Sequence, residues 1–162
     1  MYMWETEIQS FGDYLKIERG LSKHSHEAYL RDIQKLQTYL AVTPVAIEQV
    51  DESHILAFLK DLHSLGIEAS TQSRTLSGIR AFFQFLVFDG TLKADPTVHV
   101  KNPQMGLKLP DTLSFDEITA ILDQADLSSP EGVRNRAMLE FLYGAGLRVS
   151  ELIGLKREDI YE

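Results

Sequence analysis

Apolar residues recur at intervals of three and four along the first part of the chain, which is the period of an amphipathic α-helix. Four such segments follow one another before residue 90, and no alternation of period two interrupts them. Their apolar positions are, in order, Trp4, Ile8, Phe11 and Leu15; Tyr29, Ile33, Leu36 and Leu40; Ile55, Phe58, Leu59 and Leu62; and Leu76, Ile79, Phe82, Phe83, Leu86 and Val87. The sequence therefore predicts an all-α fold that begins with a compact four-helix domain.

Local signals predict where these helices begin. Ser22 and Asp51 precede the second and third segments, and serine and aspartate side chains cap helix N-termini. Ser70 and Thr71 are expected to open the fourth helix. Since the fourth segment is apolar over a broad side, we expect its helix in the middle of the bundle.

Residues 91–112 differ in composition from the helical segments before them. Pro96, Pro103 and Pro110 each restrict the preceding residue to extended or turn geometry, and Lys101 and Lys108 add positive charge. This segment is predicted to be an interdomain linker.

A second helical part is predicted after the linker. Ser114 and Glu117 form a capping box, and Ser129 precedes a proline at the first position of the next helix. The apolar side chains that the first of these helices is expected to bury are Ile118, Ile121 and Leu122.

Charge and composition limit the kind of function. The chain has 24 Asp and Glu against 16 Lys and Arg, a net charge of -8, so any nucleic-acid surface must be a local basic face on an acidic body. The absence of cysteine excludes disulfides, thiolate metal sites and cysteine nucleophiles. His24 and His26 have no third ligand nearby in sequence, and we expect no metal site and no cofactor. No stretch approaches the roughly 20 apolar residues of a membrane span, which predicts a cytoplasmic protein without a membrane partner.

The segment from Tyr143 to Leu152 is the most informative part of the sequence. An apolar helix runs into two glycines, and the chain restarts at Arg148 with Glu151 one helical turn later on the same face. A guanidinium held by a carboxylate can present its planar fork to a phosphate. On local spacing alone, a surface ion pair is the alternative.

This segment resembles the tyrosine recombinases, most closely the bacterial Xer-type enzymes. In that family a segment of the form Tyr-x-x-Gly-Leu-Arg-x-Ser-Glu-Leu carries the first catalytic arginine. The matching residues here are Tyr143, Gly146, Leu147, Arg148, Ser150, Glu151 and Leu152. The N-terminal helices also resemble the family's SAM-like core-binding domain, at Leu21, Ser22, Ser25, Tyr29, Asp32 and Ile33, and again at Ser70, Thr71, Arg74, Leu76, Ser77, Ile79, Arg80, Phe82, Phe83, Phe85 and Leu86.

The resemblance implies a division of the chain and a function. Residues 1–95 would form the core-binding, DNA-binding domain, residues 96–112 the linker, and residues 113–162 a truncated N-terminal part of the catalytic domain. The implied function is site-specific DNA recombination of the chromosome-dimer-resolution or integration type. The implied partners are a double-stranded DNA recombination site and further recombinase subunits, four in the full-length assembly.

The resemblance also implies roles for individual residues. The candidate DNA contacts are Lys23, His24, Arg31, Thr71, Arg74 and Arg80. We favour Arg31 and Arg74 among them, because Arg80 lies about 120° from Arg74 on a helical wheel and the two cannot share a narrow face. Tyr29 is expected in the core. Arg148 would clamp the phosphate, and Glu151 would support Arg148.

The rest of the family's catalytic site has no match in this sequence. That site adds a lysine on a β-hairpin, a His-x-x-Arg, a further histidine or tryptophan, and the nucleophilic tyrosine. No histidine follows His99, and we reject Tyr161 as the nucleophile because its position corresponds to the segment that enters the family's sheet. The chain alone is therefore not expected to cleave DNA. Two alternatives are a non-catalytic DNA-binding module and a helical protein-interaction domain without a DNA role.

Overall fold

The computed structural model describes residues 4–104, 106 and 111–160, and the chain divides into two compact units, Met1–Leu107 and Lys108–Glu162. All regular secondary structure among the described residues is helical, which confirms the predicted all-α fold. The helices of the first unit are α1 (Glu5–Ile17), α2 (Lys23–Leu40), α3 (Glu52–Ser64) and α4 (Ala69–Phe88); those of the second are α5 (Phe115–Leu122), α6 (Pro130–Gly144) and α7 (Val149–Gly154). Short 3-10 turns occupy Ile47–Gln49 and Arg157–Asp159.

The apolar sides of α1 to α4 form one core. Helix α4 contacts each of the other three helices, which confirms the prediction that it lies in the middle. Phe11, Phe82 and Phe83 are fully buried, and the rings of Phe11 and Phe82 meet edge to face with centroids 5.3 Å apart. Burial of each such side chain stabilises the fold by roughly 1.5–3 kcal/mol relative to leaving it exposed.

The helix N-termini follow the predicted caps with one exception. Ser22 Oγ accepts a hydrogen bond from the N–H of Ser25, and the Asp51 carboxylate accepts one from the N–H of His54. Helix α4 already begins at Ala69, because the N–H of Gln72 donates to the carbonyl oxygen of Glu68. The predicted start at Ser70 was one residue late.

The core also includes residues that come before α1 and after α4 in the chain. Trp4 is buried, and its indole N–H donates to the carbonyl oxygen of Val45 over 3.2 Å. Thr97 and Val100 are buried as well, although sequence reasoning placed them in an extended linker. The segment that packs against the helices therefore reaches at least Val100. The predicted linker residues 107–110 lie outside the described residues.

The second unit is smaller and more open. The capping box of α5 is confirmed, since Ser114 Oγ accepts from the N–H of Glu117 and Glu117 Oε2 accepts from the N–H of Ser114. The predicted burial within α5 is wrong: no residue of α5 is buried, and Ile121 is 44% exposed. Three short helices bury only a small share of their surface, so apolar side chains with the right period stay accessible.

Candidate nucleic-acid interface

Helices α2 and α4 approach each other closely at Asp32 and Gly78. A Cβ atom added at Gly78 would lie 3.0 Å from the Cβ of Asp32 and 3.1 Å from its Oδ2. Such distances are shorter than ordinary van der Waals contact, so a larger residue at Gly78 would force Asp32 to shift by a few tenths of an ångström. The glycine thus brings the carboxylate of Asp32 into reach of side chains on α4.

The carboxylate of Asp32 is the centre of a charged cluster. Asp32 is 1% exposed, and Arg74 binds it with both terminal nitrogens, Nη1 to Oδ2 at 2.8 Å and Nη2 to Oδ1 at 3.1 Å. Thr75 Oγ1 donates to Oδ1 at 3.3 Å, and Lys35 Nζ lies 3.2 Å from the same oxygen. Because an unpaired buried carboxylate costs several kcal/mol, these partners are needed for the fold. We call Asp32, Lys35, Arg74 and Thr75 the Asp32 cluster.

The Asp32 cluster presents positive charge to solvent. The side chain of Arg74 is 50% exposed and that of Lys35 is 40% exposed, whereas the carboxylate lies beneath them. One negative and two positive charges leave a net charge of +1 in the cluster. Arg31 is exposed four residues before Lys35, so these two cations lie on one face of α2. Three cations on α2 and α4 therefore form a local basic surface on an acidic chain, and such a surface can bind phosphate groups.

Sequence reasoning missed Asp32 and Lys35 as members of this site. The signal for Asp32 was its position on the apolar stripe of α2, three residues after Tyr29 and four before Leu36. A carboxylate at a core position requires a cationic or hydrogen-bonding partner. The signal for Lys35 was its spacing of four residues from Arg31.

The remaining predicted contacts lie elsewhere on the first unit. Lys23 and His24 are exposed in the first turn of α2, where Lys23 Nζ is 3.9 Å from the carboxylate of Glu27. Thr71 is exposed in the first turn of α4. Within the part of the chain that the structure describes, no hydrogen bond or ion pair joins these three to the Asp32 cluster.

Arg80 binds protein atoms of its own unit. Its guanidinium donates to Oδ1 of Asn102 at 2.6 Å and to the carbonyl oxygen of Val100. This arrangement fixes the segment after α4 and leaves Arg80 only partly exposed. Tyr29 packs against the core and meets the ring of Phe11 edge to face, which confirms its predicted place.

The second unit positions Arg148 and Glu151 as the sequence predicts. Helix α6 ends at Gly144, and Gly146 adopts a φ of +63°, a left-handed conformation that glycine reaches without strain. The chain then reverses into α7 with Arg148 as its N-cap residue. Arg148 Nη1 binds Glu151 Oε1 at 2.9 Å, and the N–H of Arg148 donates to Glu151 Oε2 at 2.7 Å.

The Arg148–Glu151 pair is held in place yet open to solvent. The Arg148 side chain is 82% exposed. Exposed ion pairs contribute roughly 0–1 kcal/mol to stability, so the pair adds little to the fold. What it does provide is a solvent-accessible guanidinium paired with Glu151 through Nη1, with further donors that this pairing does not use. Tyr161, which we reject as a nucleophile, lies outside the described residues.

The described residues contain neither a metal-binding cluster nor a membrane-spanning helix. No group of three or more histidine, aspartate or glutamate side chains in residues 4–104, 106 and 111–160 is arranged to hold a metal ion. No helix in those ranges is both long and apolar enough to cross a membrane.

Comparison with known proteins gives two family matches. Residues 8–90 match the family model described as phage integrase, N-terminal SAM-like domain, and residues 111–161 match the phage integrase family model. The tyrosine recombinase XerD of Staphylococcus saprophyticus is 38% identical over 157 residues, which are 96% of this chain and 53% of that protein. The tyrosine recombinase XerD of Pseudomonas aeruginosa is 39% identical over 153 residues, 94% of this chain and 51% of that protein.

A solved structure shares the fold. The crystal structure of a lambda integrase dimer bound to a COC′ core site superposes with a TM-score of 0.75 and 21% identity, over 97% of this chain and 43% of that one. This chain spans about half the length of the curated relatives that it matches. The matches show that the chain belongs to the phage integrase family and is similar within it to the Xer-type tyrosine recombinases.

Proposed function

We propose that this chain binds duplex DNA through the exposed side of α2 and α4, as part of a site-specific tyrosine recombinase. The observation that carries the proposal is the basic surface formed by Arg31, Lys35 and Arg74 on a chain of net charge -8. Membership of the phage integrase family, relatives named tyrosine recombinase and a neighbour bound to a DNA core site support it.

The proposed DNA-contacting residues lie at the centre or at the edge of the basic surface. Arg31 and Arg74 lie at the centre, because both are accessible and one of them is held by a buried carboxylate. Lys23, His24 and Thr71 contribute from the first turns of α2 and α4. Arg80 is the weakest of the proposed contacts, since its donors already bind Val100 and Asn102.

The chain divides by role as the resemblance implies. Residues 1–95 form the core-binding domain, residues 96–112 the linker, of which Thr97 and Val100 are buried against that domain, and residues 113–162 the first part of a catalytic domain. The first family match ends at residue 90 and the second begins at residue 111, so most of the linker lies between them, which supports this division. The partners are a double-stranded recombination site and further subunits that form a tetramer, and the place of action is the cytoplasm.

Arg148 supplies the first arginine of the catalytic site. Its guanidinium clamps the non-bridging oxygens of the scissile phosphate, and Glu151 holds the guanidinium in that orientation. In tyrosine recombination the tyrosine hydroxyl loses its proton and attacks the phosphorus to form a phosphotyrosine bond, while the bond from phosphorus to the sugar oxygen breaks and that oxygen takes a proton. No residue of this chain is assigned as that nucleophile, and the proposal includes no metal and no cofactor.

Fluorescence anisotropy with the 162-residue chain and a labelled pool of mixed-sequence duplexes tests DNA binding. Arg74→Ala and Arg31→Ala should each weaken binding and lower the slope of log K against log salt by about one. Arg19→Ala, which removes the same charge from an exposed position two residues after α1, is the matched control and should bind as wild type does. Unchanged affinity and slope in Arg74→Ala would remove that residue from the interface.

The second candidate function is that of a helical protein-interaction domain without a DNA role, and the net charge of -8 favours it. Failure of the wild-type chain to bind any duplex at low salt would support that candidate. A non-catalytic DNA-binding module would bind duplex but belong to no cleaving enzyme. Reading the coding frame past Glu162 separates the two DNA-binding functions, since only an enzyme continues into a lysine hairpin, a His-x-x-Arg and a late tyrosine.

A further inference from the structure

We infer that Asp32 is a positioning residue for phosphate binding: from the interior of the α2–α4 contact, its carboxylate holds the cationic groups of Arg74 and Lys35 at the surface. The inference rests on the proposed DNA-binding function. It also adds Lys35 to the residues that bind the DNA backbone.

Asp32 is itself fixed from within the protein. Its side chain is buried, Thr75 donates to Oδ1, and Gly78 leaves room for the carboxylate against the backbone of α4. Because Thr75 fixes Oδ1 and burial against α4 limits movement of the carboxylate, a cation that binds the carboxylate has a defined position too. The close contact between α2 and α4 therefore restricts the positions of the Arg74 and Lys35 side chains.

Donors remain free on both cations after they bind Asp32. A guanidinium has five N–H donors, and Arg74 uses two of them on Asp32, which leaves three. An ammonium has three donors, and Lys35 uses one, which leaves two. Holding these side chains in advance lowers the entropy that they lose when a phosphate binds. The free donors can therefore bind phosphate oxygens without prior ordering of the side chains.

Removing the charge of Asp32 can either strengthen or weaken DNA binding, and the direction of this change tests the inference. Removal of a negative charge beside a phosphate-binding surface should strengthen DNA binding if charge alone matters. Positioning predicts the opposite, because Arg74 and Lys35 lose their common anchor. The two explanations therefore differ in direction and not only in magnitude.

Asp32→Asn is the variant that tests this difference. Anisotropy titrations with the mixed-sequence duplex pool should give about 10-fold weaker binding and a salt slope lower by about one to two. Asp13→Asn makes the same charge change at an exposed position of α1 and should bind as tightly as wild type or more tightly. Equal or tighter binding by Asp32→Asn would overturn the inference.

Two further variants separate positioning from general damage to the fold. In a chain that already carries Arg74→Ala and Lys35→Ala, Asp32→Asn should cause no further loss of binding, because it acts through those residues and also removes a buried carboxylate that has lost its cationic partners. The same loss in that background would overturn the inference. Thr75→Val keeps the charge and nearly the shape of the cluster, and loss of its bond to Oδ1 should weaken binding about 2-fold to 3-fold. If Asp32→Asn fails to fold, unchanged binding by Thr75→Val overturns the inference instead.

Nuclear magnetic resonance of the Arg74 side chain provides a readout that does not need DNA. The Nε–H of Arg74 should be ordered in the wild-type chain and mobile in Asp32→Asn. Equal order in both would contradict positioning even if the wild type binds DNA. If the wild type binds no duplex, the proposed function fails, and this measurement still decides whether Asp32 positions Arg74.

Discussion

Arg80 and Val100 are joined by a hydrogen bond from the guanidinium of Arg80 to the carbonyl oxygen of Val100, twenty residues later in the chain. The side chain of Val100 is buried in the same core that α4 crosses, and its N–H donates to the carbonyl oxygen of Thr97. The segment after α4 is therefore held by one apolar and one polar anchor.

Arg80→Ala removes the polar anchor and should expose this segment to solvent more often. Amide hydrogen exchange at Val100 should become faster by about 5-fold or more, because the local opening free energy falls by roughly 1 kcal/mol or more. Arg19→Ala serves as the control and should leave that exchange rate unchanged. Protection at Val100 equal to that of wild type would show that the apolar anchor alone fixes the segment.

Val100→Ala removes the apolar anchor. Two buried methyl groups are lost, and the free energy of unfolding of the first unit should fall by about 1–3 kcal/mol. Urea denaturation followed by circular dichroism measures the loss. Val98→Ala, at an exposed position two residues earlier, should change the midpoint very little. A midpoint equal to that of wild type in Val100→Ala would contradict the packing described for this segment.

Gly78→Ala tests the close approach of α2 and α4. Alanine favours a helix over glycine by about 1 kcal/mol, but crowding against Asp32 should cost about 1–3 kcal/mol, so a net loss of stability is expected. Gly12→Ala is the matched control: this glycine is also buried and helical, yet the nearest side-chain atom to its added Cβ would be 3.4 Å away. Gly12→Ala should be neutral or stabilising in the same urea titration. Equal effects of both variants would contradict the contact at Asp32.

Asp51 should make the stability of the first unit depend on pH in the acid range. Hydrogen bonds from the Ser53 hydroxyl and from the N–H of His54 lower the pKa of Asp51 from 3.8 to about 2. A carboxyl group whose pKa is lower in the folded state stabilises that state above its unfolded pKa, and the contribution is lost as the pH falls through the folded pKa. The stabilisation by Asp51 should therefore be complete above about pH 4 and disappear toward pH 2.

Asp51→Asn measures this contribution, because asparagine still caps the helix but does not titrate. Between pH 4 and pH 2 the urea midpoint of Asp51→Asn should fall less steeply than that of wild type. Ser53→Ala removes the largest cause of the lowered pKa and should give an intermediate slope. Identical slopes in all three proteins would contradict the pKa shift.

Arg148→Lys tests the proposed phosphate clamp in a protein that joins this chain to a complete catalytic domain. Lysine keeps the charge but lacks the planar fork, so phosphotyrosine formation should fall by about 100-fold or more while DNA binding changes little. Gel assays of the trapped covalent complex measure the first quantity and anisotropy the second. Arg157→Lys, in the same unit and exposed, is the control. Near-normal covalent complex in Arg148→Lys would refute the clamp.

The helices of the first unit were predictable because their signals are local. The 3.6-residue period and the caps at Ser22 and Asp51 act within a few positions of the chain, and the structure confirms both. The pairing of Arg148 with Glu151 belongs to the same class, since both residues lie within one turn.

Pairings between distant residues were not predictable in this way. Arg74 and Asp32 are 42 residues apart in the sequence, and Arg80 and Val100 are 20 residues apart. The local sequence around each residue therefore does not identify its partner. A carboxylate on an apolar stripe indicates that some partner exists, but it does not say which one. The burial predicted for α5 was wrong for a different reason. The helical period shows which side chains share a face of the helix, but it does not show whether another element covers that face.

The buried indole of Trp4 gives this protein an internal optical reporter. Trp4 is the sole tryptophan of the chain, it lies in the first unit, and both its ring and its N–H are held by that unit's core. Its emission should shift to longer wavelength only when the four-helix core opens, whereas unfolding of α5 to α7 leaves it unchanged. Tryptophan fluorescence and circular dichroism recorded together can therefore separate the unfolding of the two units in a single titration.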